Sequence, residues 1–307
     1  MRQWLRKCSL LVAGQSGEGL DLSELRIKFE IKKSDAQSPN TANIKVFNLS
    51  GDSASLIQRE FTDITLQAGY EENFGVIFRG NAKQISRGRE NGTDAFLEII
   101  AADGDAAYNF AVVNTTMSAG ASQNEIIQTA KAPMNLQSGF TPAFGGEKLP
   151  RGKVMYGMSR DYLRQAGNTD GARWSIQDGA VQFVSNTGTL PGNAVLLTSE
   201  TGLVDTPEQT NDGIKIKCLL NPQIKTGGTV SIANSEVNAL KFGDKKEGDK
   251  TKPVKIVDDG IYRVLSIEYA GDTRGQEWYQ VLVCVGVDET APAGKKVKSP
   301  GIESEGE

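Results

Sequence analysis

Carboxylates are the first residues to weigh for chemistry in this chain. Asp103-Gly104-Asp105 has the start of an oxygen-ligand loop, but the further acidic positions and closing glutamate of a calcium loop do not follow, so it reads as a turn. Glu90 with Asp94, and Asp258 with Asp259, are the pairs that glycoside hydrolysis would need, two carboxyl groups flanking one groove at a fixed separation. At hairpin ends such groups are ordinarily just solvated. The glycine-rich stretch 139–146 lacks the Gly-Lys-Ser/Thr of a phosphate cradle. Trp174, Trp278 and Tyr279 offer faces for a sugar or a base, yet all three fall on alternating strands, where aromatics are ordinarily core. Histidine is absent, which removes the commonest general base, the commonest zinc ligand and every Ser-His or Cys-His pair. Cys8, Cys218 and Cys284 are far apart with no CxxC spacing and read as buried thiols. No catalytic, cofactor-binding or metal-ligating residue is assigned, no cofactor is implied, and no enzymatic activity is expected.

The elements that would position these residues are mostly strands. The stretch 199–222, SETGLVDTPEQTNDGIKIKCLLNP, runs through a turn and a polar loop into a half-buried edge strand with Ile214, Ile216 and Cys218 on one side and Lys215 and Lys217 on the other. NIKVFNLS at 43–50 has the same build. Residues 25–32 alternate over eight positions, with Leu25, Ile27, Phe29 and Ile31 toward a core and Arg26, Lys28, Glu30 and Lys32 toward solvent or a neighbouring subunit. Asp52 or Ser53 is placed to cap a short helix, 54–61, with Leu56, Ile57 and Phe61 on one face, and 64–70 returns to β. Residues 76–85 and 94–101 form a hairpin around a polar loop with Asn91-Gly92 at its turn. Residues 1–105 thus hold about five or six strands and one helix, enough for a small barrel or sandwich.

From about residue 105 the texture changes. Ser122 and Glu125 form a capping-box pattern ahead of a helix that Pro133 stops. Ser159 is placed to cap a second helix with Tyr162, Leu163 and Ala166 on its apolar side. Trp174–Ile176 and Val181–Phe183 flank Asp178-Gly179 as a tight hairpin. Together these make an α+β insert of roughly 80 residues. The last third repeats the opening scheme: 214–220, a short loop in place of the helix, 228–232, then a long hairpin from 260–269 and 277–284. The expected fold is mainly β, with two similar small β-barrel domains at 1–105 and 191–290, an inserted α+β domain at 106–190, and a flexible tail at 291–307. The Lys- and Asp-rich stretch 243–252 reads as a surface loop.

Composition bounds the partners. A net charge of −4 on 307 residues gives no basic nucleic-acid footprint and no membrane-surface patch. The N-terminal MRQWLRKCSLLVAG imitates a secretion signal, but its apolar run is too short and reads as a first strand. No stretch approaches the ~20 apolar residues of a membrane span, so a soluble chain made in the cytoplasm is expected.

Six phrases carry a resemblance: TGLVDTPEQTNDGIKIKCLLNP, SPNTANIKVFNLS, LQAGYEENFGVIFRGNA, IIAADGDAAY, GARWSIQDG and GIYRVLSIEYAGDTRGQEWY. Together they resemble the baseplate hub proteins of contractile-tailed bacteriophages, the Mu-like and T-even-like hubs related to late-control D proteins, up to about residue 288. None of the phrases is a catalytic signature. The resemblance implies two similar barrels per protomer separated by an insert, assembled as a homotrimer. Six quasi-equivalent barrels would then face the sixfold tail tube protein and a threefold face the central spike protein, with tape measure and baseplate wedge proteins as further partners. DNA would be met only in passage through the lumen, no membrane is implied, and the place is the virion tail baseplate. Some relatives carry or recruit a peptidoglycan lysozyme, for which no residues are left over here. Two rivals stand beside this reading: a carbohydrate-binding or peptidoglycan-hydrolysing β protein, which predicts saccharide binding lost in Trp278→Ala, and a subunit of a phage-derived bacteriocin or secretion particle.

Overall fold

A computed structural model describes residues 5–14, 19–90, 92–145, 148–210, 213–232 and 260–287. The chain opens with four strands, β1 (Arg6–Gly14), β2 (Gly19–Asp21), β3 (Ile27–Ser34) and β4 (Thr41–Phe47). Period-two alternation puts Ile27, Phe29 and Ile31 of β3, and Ala42, Ile44 and Val46 of β4, into one core while the residues between them stay at least partly exposed. The apolar run behind the basic N-terminal residues is β1. Leu25 and Arg26 precede β3 instead of opening it. Helix α1 (Gly51–Glu60) follows. Its cap is Ser50, whose Oγ accepts from the Ser53 backbone N–H at 3.1 Å, so the helix begins earlier than Asp52 or Ser53 would start it.

Next come β5 (Phe61–Tyr70), β6 (Asn73–Glu90) and β7 (Asp94–Ala102). The expected hairpin is present, but its polar loop is largely strand: pairing runs on to Glu90 opposite Asp94. Charge did not stop the strand, because the side chains of Arg87, Arg89 and Glu90 reach solvent while the backbone keeps its ladder.

The middle of the chain holds α2 (Asp105–Phe110), β8 (Val112–Met117), α3 (Gln123–Lys131), a single 3₁₀ turn (Ala132–Met134), β9 (Gln137–Ser138), β10 (Lys153–Met158) and α4 (Ser159–Thr169). The strands β11 (Ala172–Gln177) and β12 (Ala180–Ser185) complete it. The capping box on α3 is complete in both directions. Ser159 is not a cap. Met158 occupies that place, and the buried Ser159 hydroxyl has no partner among the described residues. The tight hairpin forms as expected: Asp178 and Gly179 take φ of 54° and 83° between Gln177 and Ala180, left-handed values that suit a two-residue turn with Asp-Gly. These elements pack round a second core that includes Ile127, Met155, Leu163, Trp174 and Phe183.

The last strands are β13 (Val195–Leu197), β14 (Glu208–Thr210), β15 (Gly213–Leu219), β16 (Thr229–Ile232), β17 (Ile261–Asp272) and β18 (Trp278–Gly286). The stretches 243–252 and 291–307 lie outside the described residues. Strand order repeats across the two ends of the chain. In the order β3-β4-β7-β6-β5 every neighbour is antiparallel, and β14-β15-β18-β17-β16 repeats that order and sense. A register shift falls in the long hairpin of each, between Ala82 and Gln84 and between Val264 and Ser266. One side-chain pair also repeats. Lys45 Nζ sits 4.8 Å from the Phe96 ring centroid, and Lys217 Nζ sits 4.7 Å from that of Tyr279, at matching places in the two registers.

The expectation of two closed barrels is corrected here. All these strands belong to one thirteen-stranded sheet whose path is open, from β14 to β2. The reason lies in strand length. Twelve-residue β17 outruns β16, which pairs only with residues 261–263, and the edge at 266–272 is taken by β3 from the other end of the chain. The two ends therefore share a sheet and one buried core.

Candidate assembly surfaces

The join between the two ends shows what kind of contact this sheet makes. Residues Ser266–Asp272 of β17 pair with Ser34–Lys28 of β3 without interruption. Charges cross the join in one sense: Arg26 grips Asp272 through Nε and Nη2 at 3.2 and 2.7 Å, and Lys28 meets Glu277 at 3.4 Å. The Arg26 hydrogen bond first, then the backbone N–H groups of Arg274 and Gly275, hold the Asp272 carboxyl below the usual carboxylate range. Beneath them Phe29 lies edge-on to Trp278 at 5.6 Å and over Gly271, where a Cβ would fall 2.3 Å from its ring. Of the charged stripe named from the sequence, Arg26 and Lys28 are thus in ion pairs within the chain, while Glu30 and Lys32 are exposed.

A second set of polar contacts fastens the middle of the chain to the sheet. Asp103, fully buried, accepts from the backbone N–H groups of Asp178 and Gly179 at 2.6 and 2.9 Å. Burial, then the nearby Asp178 carboxylate, pushes its pKa up to about 6 against those two bonds. Lys33, almost fully buried, reaches Asp178 Oδ1 at 2.6 Å, and Lys225 reaches Oδ2 at 3.5 Å. Burial still holds the Lys33 ammonium below its ordinary value, outweighing the Asp178 attraction. Asn40 Nδ2 donates to the Ile176 carbonyl and Gln177 Oε1, Arg173 pairs with Asp35 at 3.1 Å, and Arg263 donates to the carbonyls of Ser185, Asn186 and Gly188.

These contacts decide the earlier candidates. Asp103-Gly104-Asp105 is a turn leading into α2, and its first carboxylate is spent on the 178–179 hairpin. Glu90 and Asp94 face each other across the end of an exposed hairpin, and Asp258 and Asp259 lie outside the described residues. Of the glycine-rich stretch, 139–145 belongs to no named strand or helix, and 146 is outside the described residues. Trp278 is buried in the first core, with its Nε1–H on the Gly69 carbonyl at 3.3 Å, and Trp174 is buried in the second, stacked on Tyr108. Tyr279 is half-buried under Lys217. The three aromatics share no platform. Burial raises the thiols of Cys8 and Cys218 to about 12 and that of Cys284 well above its ordinary value, and all three are free, although Cys8 is only half-buried as a residue. Among the described residues no group of three or more His, Cys, Asp or Glu could hold a metal, and no helix is long and apolar enough to cross a membrane.

Sequence reasoning missed Lys33, Arg263 and the β17–β3 join. Lys33 carried a usable signal, falling on the buried phase of its strand after Ile31; Arg263 carried none, because it alternates out of phase with core Tyr262 and Val264 on a strand that is buried on both faces here. The join carried none, because its partners are more than two hundred residues apart.

What remains open is surface. A cleft of about 830 Å³ runs between the β1–β5–β6 face and α2, but the Asp103 that lines it is already bonded to backbone. Phe110, Val112, Val154 and Tyr156 are exposed together on α2 and the β8–β10 pair. Strand edges are also open among the described residues, among them residues 84–90 of β6, which pair only with β7, and the outer edge of β14.

Comparisons with known proteins agree on one architecture. A family model described as Baseplate hub gp41 matches residues 10–243. The 43 kDa tail protein of prophage MuSo2 from Shewanella oneidensis superposes with a TM-score of 0.59 at 9% identity, covering 92% of this chain and 98% of that one. A tail protein from Neisseria meningitidis gives 0.55 at 9%, covering 92% and 96%. An Escherichia coli component of the type VI secretion system, itself similar to the T4 bacteriophage tail proteins gp27 and gp5, gives 0.53 at 10%, covering 87% and 76%. No curated protein sequence matches. At these identities the solved structures speak for the fold alone.

Proposed function

The chain belongs to the Baseplate hub gp41 family and is therefore a structural protein of the phage tail baseplate, and from that premise we propose that three copies form a hub joining a sixfold tail tube to a threefold central spike. One observation carries the reading: the order β3-β4-β7-β6-β5 recurs as β14-β15-β18-β17-β16 in the same chain. Two such units per protomer, taken three times, present six similar β units around an axis. A closed ring of this kind needs only one heterologous interface whose rotation closes.

In this reading residues 1–105 and 191–290 supply the tube-facing units, and 106–190 form an insert outside them. The tail tube and spike proteins are the direct partners, with tape measure and wedge proteins as further ones, and DNA passes through the lumen. No residue has a catalytic task. The carbohydrate reading loses its support, because Trp174 and Trp278 are sealed in different cores. Class averages of the purified protein by electron microscopy test the proposal. A ring with six similar lobes and a threefold outer decoration is expected, and isolated single chains at high concentration would refute it.

A further inference from the structure

We propose that neighbouring copies of this chain join head to tail by adding the β14 edge of one protomer to the open β6 edge of the next, with Ser86 opposite Thr210 and Gly88 opposite Glu208. The proposal rests on the trimeric reading above and names the surface that reading leaves unspecified.

The argument is that the chain already makes this contact once, within itself. β17 and β6 hold the same place in the repeated strand order, as do β14 and β3. Aligning the two long hairpins at their register shifts sets Gln84 on Ser266 and Ser86 on Glu268. Aligning Lys45 on Lys217 sets Thr41 on Gly213, and hence Lys32 on Thr210 through their partners. Glu268 pairs with Lys32, so the same contact made between copies brings Ser86 opposite Thr210. The β17 edge at 266–272 is covered by β3, whereas its counterpart at 84–90 is bare among the described residues. An unpaired edge of seven residues is a template for another strand, and the counterpart of the strand that covers β17 lies, among the described residues, unpaired on its outer side at the end of the sheet.

Charge favours the same occupant. Across the internal join the β3 side is basic and the β17 side acidic, through Arg26–Asp272 and Lys28–Glu277. On the open edges the signs are exchanged. Exposed Arg87 and Arg89 stand on β6, and exposed Asp205 and Glu208 stand on and just before β14. In the proposed register Glu208 stands opposite Gly88, so its side chain lies on the other face of the sheet from Arg87 and Arg89, and the opposite charges favour the approach of the two edges without pairing across them. Exchanged signs also discourage β6 from competing for the β3 edge, where basic would meet basic. A recess of about 390 Å³ beside the bare edge, between Leu49, Ala54, Leu97 and the stem of Arg87, opens where Phe29 fills the matching place at the internal join.

Paired cysteines at Ser86→Cys and Thr210→Cys test the register in the full chain. On mild oxidation, non-reducing gels are expected to show covalent dimer and trimer, with neither band in the single variants. Native mass is measured on the same samples. Three copies without the covalent bands would overturn the edge contact and leave the trimer standing, and one copy would overturn both.

Discussion

Replacing Asp103 by Asn should change how stability depends on pH more than it changes stability itself. The Asp103 carboxyl is fully buried, and its pKa is raised from 3.8 to about 6, chiefly by burial and next by Asp178. A group whose folded pKa lies above its unfolded one contributes most below the unfolded value, and that contribution is lost as pH rises through the folded value. Between about pH 4.5 and about pH 7 those two pKa values make the loss about 2 kcal/mol. Asn cannot ionise, so its variant lacks this slope. Its single carbonyl oxygen serves the N–H groups of Asp178 and Gly179 less well than two carboxylate oxygens do, a uniform cost of about 1–2 kcal/mol. Urea unfolding of both proteins, followed by the fluorescence of buried Trp174 and Trp278, measures the two slopes. The stability gap between wild type and Asp103→Asn should narrow by about 2 kcal/mol on going from the acid to the neutral buffer. Parallel pH profiles would refute the claim that this carboxylate is held ionised against its burial.

Three further substitutions probe other contacts. Asp178→Asn leaves the buried Lys33 ammonium without its carboxylate and should cost about 3–5 kcal/mol, whereas Lys33→Met leaves Asp178 with Lys225 and should cost much less; equal losses in denaturant titrations would contradict the asymmetry. Trp278→Ala should lower stability by about 3–5 kcal/mol by opening a cavity beside Phe29 and Gly271, and calorimetry showing saccharide binding in the wild type but not in this variant would revive the carbohydrate reading. Ser122→Ala removes the cap of α3 and should cost about 1 kcal/mol; no shift in the urea midpoint would mean that the capping box adds nothing to α3.

Much of the secondary structure could be read locally, because the physics that sets it is local. Alternation located β3, β4, β15 and the long hairpins, Asp178-Gly179 announced its turn, and Ser122 with Glu125 announced α3. Strand ends were harder. Polarity at 86–90 suggested a loop, but an exposed ladder tolerates charge, so β6 continued to Glu90. Ser159 had a capping residue's identity without its geometry. What stayed hidden was pairing at a distance. Nothing in residues 27–34 or 266–272 announces that they meet, and that one join turns two expected barrels into a single open sheet. The assembly surfaces were legible only as a charged stripe; the structure assigned Arg26 and Lys28 of that stripe to contacts inside the chain and moved attention to the open edges of β6 and β14.

The account stands on the repeated β unit being used to turn three chains into six positions. Native mass spectrometry of the purified, untagged protein measures this most directly. The predicted species is three times the 33.0 kDa chain mass, persisting on dilution. A single-chain species at every concentration, or a closed assembly whose copy number is not a multiple of three, would contradict it.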